Sequence, residues 1–215
     1  LRVGVDGINV DFEKISDKCG EHYIEFIREL SVKCRQNGLV LSVDNYVPKS
    51  FNTQYDRKEQ GIVADYVVIM GYDEYYAGSE KAGPVSSLNY VTDSTENTLK
   101  EVPAEQTIIA LPFYSRLWKE TTKDGKVKLS SEAYGMHFAK ESMIDAGAKF
   151  EWNDESGMNY AEYTKDGVVY KMWLEDQTSL EEKMKVVSDH QTAGYAFWKL
   201  GLEDSAVWDM IIKYM

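Results

Sequence analysis

The segment 6–13 holds the residues whose types and spacing could do chemistry. Asn9, Asp11 and Glu13 alternate with apolar residues, and on a β-strand alternate side chains point to the same face. The two carboxyl groups would then lie roughly 6–7 Å apart along the strand. Each costs several kcal/mol to bury in an apolar core unless it is paired or hydrogen-bonded. The pattern therefore indicates a polar site on one face of a strand.

Proton transfer is the chemistry that two carboxyl groups at this separation could perform. Because close like charges oppose the loss of a second proton, Glu13 is predicted to hold a proton near neutral pH while Asp11 tunes it. A protonated carboxyl group of this kind can protonate a glycosidic oxygen. The alternative interpretation is a polar network or a metal site at the end of a strand. A metal site is disfavoured because the histidines form no cluster with ligand spacing; they are His22, His137 and His190.

Alternating strands and helices are predicted to position this segment. Mixed apolar and polar positions predict a strand at 3–13, and near-continuous apolar runs predict strands at 39–43, 66–70, 107–111 and 194–198. Helical spacing predicts helices from Ser16 or Asp17 to 37–38, and at 94–102, 179–190 and 206–214, with a polar connection around 55–60. The alternation predicts an α/β fold with a parallel sheet covered by helices. The stretch 117–172 breaks this rhythm and is predicted to be a small α+β insertion, which leaves 1–116 and 173–215 as the catalytic β/α portion.

Composition narrows the class of protein. The chain of 215 residues carries a formal net charge of -12, which disfavours binding to nucleic acid through phosphate contacts. No apolar run approaches the ~20 residues of a membrane span, and the first residues do not resemble a signal peptide. Cys19 and Cys34 bracket a predicted helix that would separate them by roughly 22 Å, so they are not expected to form a disulfide.

Four segments, in order along the chain, resemble motifs of family 18 glycoside hydrolases, the chitinase-like enzymes. Segment 6–13 is similar to the strand-four signature, 70–73 to the strand-six motif, 111–116 to the end of strand seven, and 197–201 to strand eight with its subsite tryptophan. Segments 72–75, 83–85, 173–176 and 200–204 are closest to the branch of spore-cortex and cell-wall N-acetylglucosaminidases. Two positions depart from the usual pattern: Asn9 stands where Asp is commonest, and Tyr75 where that branch often has His.

The resemblance implies a fold of the TIM-barrel (β/α)8 type, which usually takes ~250 residues. The chain is expected to contain only strands four to eight, with the small α+β insertion before the last strand. Such a sheet would expose apolar edges. The resemblance therefore implies either a longer native protein or association through the open side of the barrel.

The resemblance also implies retaining, substrate-assisted catalysis, in which the acetamide of the substrate replaces an enzyme nucleophile. Glu13 would act as the acid and then as the base. Asp11 would accept the acetamide N–H, Tyr72 would bind the acetamide oxygen, and Asn9 would support Asp11. No cofactor and no metal are implied.

Five further residues are implied as contacts to the sugar. Asp73 and Arg116 would bind sugar hydroxyls, and Trp198 would form the floor under the reacting ring. Tyr114 and Glu74 are included with them because they belong to the same motifs. Each has a structural alternative, since Tyr114 and Arg116 could simply connect the insertion to the barrel.

The implied partner is a glycan that contains N-acetylglucosamine. Peptidoglycan of the spore cortex is the leading substrate, and chitin is the alternative. A sugar-binding barrel that has lost catalysis is a second class of function, and a structural envelope protein is a third. The resemblance implies an extracellular, cell-envelope or spore location.

Overall fold

The computed structural model describes residues 4–215, so the predicted strand start at Val3 lies outside the described residues. Ten strands and six α-helices are assigned in this range. The strands are β1 Gly7–Val10, β2 Val40–Tyr46, β3 Tyr66–Met70, β4 Thr107–Pro112, β5 Tyr114–Lys123, β6 Lys126–Gly135, β7 Glu151–Asn153, β8 Met158–Lys165, β9 Val168–Leu174 and β10 Gly194–Trp198. The helices are α1 Gly20–Gln36, α2 Arg57–Val63, α3 Leu88–Thr98, α4 Met136–Asp145, α5 Gln177–Asp189 and α6 Val207–Ile211.

The chain forms two compact units, and each is described by itself. The first contains the residues up to Met70 together with 93–110 and 189–196. The second contains 71–92, 111–188 and 197–215. None of the helices between residues 4 and 215 combines the length and the apolar character that a membrane crossing requires.

A five-stranded sheet in the order β1-β2-β3-β4-β10 carries the candidate chemistry. The pairings from β1 to β4 are parallel, and one row of neighbours runs through Val10, Val43, Val67 and Thr107. All four residues are buried, as expected for strands covered by helices. The predicted α/β fold with a parallel sheet is confirmed.

Helix α1 packs its apolar side against this sheet. Its buried residues recur at helical spacing, and Ile24, Ile27 and Cys34 belong to one core cluster with Val10 and Leu41. The helix ends at Gln36, and Gly38 follows with φ 66°, a conformation that glycine adopts easily. Cys34 is buried, Cys19 is exposed, and both are free thiols, so the prediction that they do not pair is confirmed.

The first strand is shorter than predicted. β1 ends at Val10, where its pairing with β2 also ends, and Asp11 to Glu13 follow as irregular chain. Phe12, one of the apolar residues that alternate with Asn9, Asp11 and Glu13, is 51% exposed and does not lie in a covered strand. Lys14 then adopts φ 59° and turns the chain. The prediction of a strand through residue 13 is therefore wrong, because of the three polar residues only Asn9 lies in the strand.

Two helices differ from the sequence prediction. The predicted polar connection around 55–60 contains α2, whose N-cap Asp56 accepts a hydrogen bond from the Glu59 amide. This helix buries polar groups, because Gln60 bonds with Asn45, and it lacks the apolar periodicity that predicts helices. Helix α3 starts six residues before the predicted 94, where the Ser87 hydroxyl accepts the amide N–H of Tyr90.

A second, antiparallel sheet lies in the other compact unit, in the order β6-β5-β9-β8-β7. One face packs on α4, through a buried cluster that includes Leu117, Ala139, Met143 and Met172. The opposite face carries the alternate residues of β5, among them Arg116. The strands of this sheet span 114–174.

Candidate functional site

Asn9 is the last polar residue of β1 and points its amide toward β2. Its Nδ2 donates to Asp44 Oδ1 at 2.7 Å and to Ser42 Oγ at 2.9 Å. Parallel register makes this possible, because Asn9 lies directly opposite Ser42. The carboxyl group of Asp44 is thereby fixed beside the end of β1.

Glu13 is held by a tyrosine of the neighbouring strand. The Tyr46 hydroxyl donates to Glu13 Oε2 at 2.6 Å, from the last position of β2. The Tyr46 ring meets the Tyr55 ring edge-on, with centroids 5.9 Å apart. Tyr55 also accepts the amide N–H of Ile15 through its hydroxyl oxygen at 3.2 Å. Two packed rings thus position both the carboxyl group of Glu13 and the chain that follows it.

Asp11, Glu13 and Asp44 influence one another electrostatically. Burial raises the pKa of Asp11, and the charge of Glu13 raises it further. Burial also raises the pKa of Asp44; the hydrogen bond from Asn9 opposes this rise, and the charge of Asp11 adds to it. We call Asn9, Asp11, Glu13, Asp44 and Tyr46 the Glu13 cluster. It concentrates three acidic groups at an exposed strand end.

Tyr46 can act only as a hydrogen-bond donor to Glu13 near neutral pH. Burial raises the pKa of its phenol, and the hydrogen bond to Glu13 raises it further. Tyr23 lies behind this region, 4% exposed, with its ring centroid 5.8 Å from that of Tyr55. Its hydroxyl is buried and has no hydrogen-bond partner within residues 4–215. The wall behind the Glu13 cluster is therefore aromatic.

A second group of candidate residues lies in the other compact unit. Tyr114 donates its hydroxyl hydrogen to Asp73 Oδ1 at 2.7 Å, and Arg116 Nη2 lies 4.0 Å from the same oxygen. The Tyr72 ring contacts the Tyr114 ring edge-on at 6.3 Å. We call Tyr72, Asp73, Tyr114 and Arg116 the Asp73 cluster. Sequence order explains it, since Tyr72 and Asp73 follow β3 and Tyr114 opens β5.

Arg116 retains an unused donor. Its side chain is 11% exposed, and its Nη1 donates to Ser131 Oγ at 3.2 Å. Its Nε is buried without a hydrogen-bond partner in the part of the chain that the structure describes. Burial raises the pKa of the nearby Tyr114 phenol, with further contributions from the charge and hydrogen bond of Asp73. The Asp73 cluster thus presents fixed donors and one acceptor carboxylate, which suits polyhydroxylated ligands.

Glu74 and Trp198 are placed differently from the Asp73 cluster. Glu74 Oε2 accepts the backbone N–H of Ser87 at 2.8 Å, just before α3, so this carboxyl group stabilises a helix start. Trp198 ends β10 with half of its surface exposed, and its carbonyl oxygen accepts the N–H of Phe113 at 2.7 Å. An exposed aromatic face at a strand end is available to stack on a sugar ring.

Sequence reasoning missed the tyrosines that support Glu13. Tyr46 carried a usable signal, because Ser42, Asp44 and Tyr46 alternate along β2 as Asn9 and its neighbours do along β1. Tyr55 and Tyr23 carried none, since each belongs to a segment whose pattern indicates ordinary packing. Across residues 4–215, no group of three or more His, Cys, Asp or Glu side chains is arranged to hold a metal ion.

Comparison with known proteins identifies the family. The model for glycosyl hydrolases family 18 matches residues 2–203. The cortical fragment-lytic enzyme of Bacillus anthracis is 24% identical over 220 residues, which cover 99% of this chain and 50% of that enzyme. The chain spans about half the length of several curated relatives that it matches.

Solved structures show the same fold. The chitinase from Chromobacterium violaceum ATCC 12472 is 25% identical with a TM-score of 0.88, covering 97% of this chain and 66% of the chitinase. The spore cortex-lytic enzyme SleL of Bacillus megaterium QM B1551 is 23% identical with a TM-score of 0.86, covering 98% of this chain and 49% of SleL. Because the family model matches nearly the whole chain, this protein belongs to glycosyl hydrolases family 18.

Proposed function

We propose that this chain is a retaining glycoside hydrolase that cleaves β-linked N-acetylglucosamine polymers by substrate-assisted catalysis. One observation carries the proposal: the exposed carboxyl group of Glu13 is held by Tyr46 next to a second acid, Asp11, at the end of a parallel strand. Family membership supports the same chemistry. Catalytic side chains of β/α folds cluster at the carboxyl ends of strands.

In the first step, Glu13 gives its proton to the oxygen of the glycosidic bond, and the leaving sugar departs with that oxygen. The carbonyl oxygen of the substrate's 2-acetamido group attacks the anomeric carbon and forms an oxazolinium-like intermediate. In the second step, the carboxylate of Glu13 takes a proton from water. The water oxygen then bonds to the anomeric carbon and the acetamide is released, so that configuration is retained.

Asp11 accepts the acetamide N–H in this proposal. That contact orients the acetamide and stabilises the positive charge that develops on it. Asn9 supports Asp11 through Asp44, because its amide binds Asp44 and Asp44 interacts with Asp11 through charge. Tyr46 keeps the carboxyl group of Glu13 in one orientation. This lowers the entropic cost of reaching the geometry that proton transfer requires.

The Asp73 cluster contributes substrate contacts in the same proposal. Tyr72 donates to the acetamide oxygen, while Asp73, Tyr114 and Arg116 bind sugar hydroxyls through groups whose positions their mutual contacts already fix. Trp198 stacks under the reacting ring. Glu74 acts indirectly, by fixing the loop between Asp73 and α3.

Peptidoglycan of the spore cortex is the proposed substrate, and chitin is the alternative. Relatives named as cortical fragment-lytic enzymes support the first, and a structurally similar chitinase supports the second. The same relatives support an extracellular, envelope or spore location. The net charge of -12 supports a neutral glycan over nucleic acid as the partner.

The five-stranded sheet is proposed to correspond to strands four to eight of the (β/α)8 barrel. Residues 1–116 and 173–215 then form the catalytic β/α portion, and 117–172 the small α+β insertion. Association through the open side of this sheet is proposed to cover its apolar edge.

Cleavage assays on cortex peptidoglycan and on chitin oligomers test the function. Glu13→Gln is expected to reduce the cleavage rate by about a hundredfold or more, as for the loss of a general acid. Glu21→Gln, an exposed carboxylate on α1, is the matched control and should leave the rate unchanged. Cleavage that survives Glu13→Gln would refute the mechanism. Binding of oligomers by the parent without cleavage would favour the sugar-binding alternative.

A further inference from the structure

A cavity of 480 Å³ lies within the second compact unit, on the face of the antiparallel sheet opposite α4. One side is formed by the loop residues 80–82 and the other by strands β5, β6, β8 and β9. The side chains on its strand side include Glu120, Leu129, Tyr160, Lys171 and Trp173. None of the proposed catalytic or sugar-contacting residues lines it.

The floor of the cavity combines aromatic and charged side chains. Tyr160 and Trp173 are direct neighbours on β8 and β9, with ring centroids 4.8 Å apart. Lys171 and Glu120 form an ion pair at 2.8 Å on adjacent strands. Lys81 and Glu80 contribute a second pair of opposite charges from the loop. A surface with aromatic rings, fixed polar groups and balanced charge suits a neutral, polyhydroxylated ring better than an ion.

Strand register connects this cavity with the Asp73 cluster. Arg116, Trp118 and Glu120 alternate along β5 and share one face of the sheet. Trp118 lies opposite Lys171, so the cavity residues of β9 belong to that face too. Arg116 and Glu120 are separated along the strand by about 13 Å. Trp118 lies between them, is fully buried and is bonded to Gly83 of the loop, so the loop covers this face between Arg116 and the cavity.

The loop after β3 also connects the Asp73 cluster with the cavity. Its two ends pair, because the amides of Glu74 and Tyr75 donate to the carbonyl oxygens of Val85 and Pro84. Trp118 Nε1 donates to the carbonyl oxygen of Gly83 at 2.8 Å and ties the loop to the sheet. One loop therefore leaves the Asp73 cluster, lines the cavity and returns.

We propose that this cavity is a subsite for a sugar ring of an N-acetylated glycan. The inference rests on the proposed function and extends it, because such a subsite makes the protein favour long glycan chains over short ones. Trp173 supplies the stacking face, and the Lys171–Glu120 pair supplies hydrogen bonds to hydroxyl groups.

Binding calorimetry with β-1,4-linked N-acetylglucosamine oligomers tests the subsite. All variants carry Glu13→Gln, so that no oligomer is cleaved during the measurement. Trp173→Ala is expected to weaken binding of the hexasaccharide about tenfold, as for the loss of one aromatic stacking contact, and to leave disaccharide binding unchanged. Trp152→Ala is the matched control, because Trp152 is 42% exposed on the opposite face of the same sheet.

A second variant, Ala82→Arg, tests the subsite independently in case Trp173→Ala does not fold. Ala82→Arg places a long side chain in the cavity from its loop side, where no core packing is removed, and should show the same length-dependent loss. Equal losses for both oligomers, or full hexasaccharide affinity in both variants, would overturn the subsite. Hexasaccharide that fails to bind even before the cavity is altered would overturn it as well. Failure of the proposed function is a different result, because it shows in the parent as intact glycan after incubation.

Discussion

Tyr46 illustrates how a single residue is expected to shape the reaction. Its hydroxyl donates to Glu13 at 2.6 Å, and its ring is braced by Tyr55. A hydrogen bond to a charged group contributes about 1.5–3 kcal/mol, which corresponds to one to two orders of magnitude in rate if it is lost at the transition state. In the proposed mechanism Tyr46 is a positioning residue, since it would act on the substrate through Glu13.

Tyr46→Phe is expected to slow cleavage of natural glycosidic bonds by about tenfold or more. Substrates with a nitrophenyl leaving group should lose less, because a stable phenolate needs little help from a proton donor. The measurement is kcat for both substrate types in the variant and in Tyr66→Phe, a control tyrosine of β3. Equal losses with both substrates would show that Tyr46 is merely structural.

The pKa of Asp11 should depend on the charge of Glu13. The pKa of Asp11 is raised first by burial and then by Glu13, so Glu13→Gln should move that pKa partway back toward its ordinary value. A raised pKa means that the folded protein binds this proton more tightly than the unfolded chain, so the associated stability is lost as pH rises through the folded pKa. Carboxyl 13C NMR titration measures the shift. An unchanged pKa of Asp11 in Glu13→Gln would show that the two groups do not interact.

At the scale of elements, a buried ion pair holds the end of β9 to α5. Lys183 Nζ lies 2.5 Å from Glu175 Oε2, and both side chains are fully buried. Ser115 of β5 accepts the backbone N–H of Glu175 at 2.7 Å, so three elements meet here. Burial raises the pKa of Glu175, while Lys183 opposes that rise. The pair therefore depends on both partners being present.

Lys183→Met is expected to lower the free energy of unfolding by about 3–5 kcal/mol, because it leaves the Glu175 carboxyl buried without its partner. The double variant Glu175→Leu with Lys183→Met should be more stable than Lys183→Met alone. Urea denaturation provides the measurement. Lys185→Met is the control on the same helix, since its exposed pair with Glu182 should contribute less than about 1 kcal/mol. A loss in Lys183→Met no larger than in this control would contradict the prediction.

At the scale of the whole molecule, exposed apolar side chains lie on either side of the end strand β1 in the chain. Phe12 and Phe26 stack with centroids 5.6 Å apart and are 51% and 40% exposed, and Val5, which precedes β1 in the sequence, is 44% exposed. A strand edge flanked by apolar side chains favours association. We therefore propose that association through the open side involves the surface formed by Phe12 and Phe26.

Phe26→Ser is expected to reduce self-association of the chain. Sedimentation velocity over a range of protein concentrations would show dimers or larger species in the parent and a shift toward monomer in the variant. Phe138→Ser is the control, because Phe138 is 57% exposed in the other compact unit. A parent that remains monomeric at all concentrations, or an equal effect of the control, would contradict the prediction.

The sequence alone located two apolar strands well, of which β3 is mostly buried and β10 is partly exposed. The strands predicted at 66–70 and 194–198 have the same bounds in the structure as β3 and β10. Runs that are apolar at every position are recognisable without knowledge of their neighbours, because both faces of a covered parallel strand exclude polar side chains. The polar helix α2 could not be recognised in this way, since its buried groups Arg57 and Gln60 are satisfied by residues elsewhere in the chain.

The sequence by itself determined which carboxyl groups could do chemistry. Asp11 and Glu13 are two residues apart, so they are close in space in any fold of the chain. Tertiary structure decided what surrounds them. Strand register brings Tyr46 to Glu13 and Asp44 to Asn9 across more than thirty residues of sequence. The physical reason is that the hydrogen bonds and the burial of a residue depend on which residues surround it in space. Parallel strands are joined by long connections, so these surrounding residues come from distant parts of the sequence.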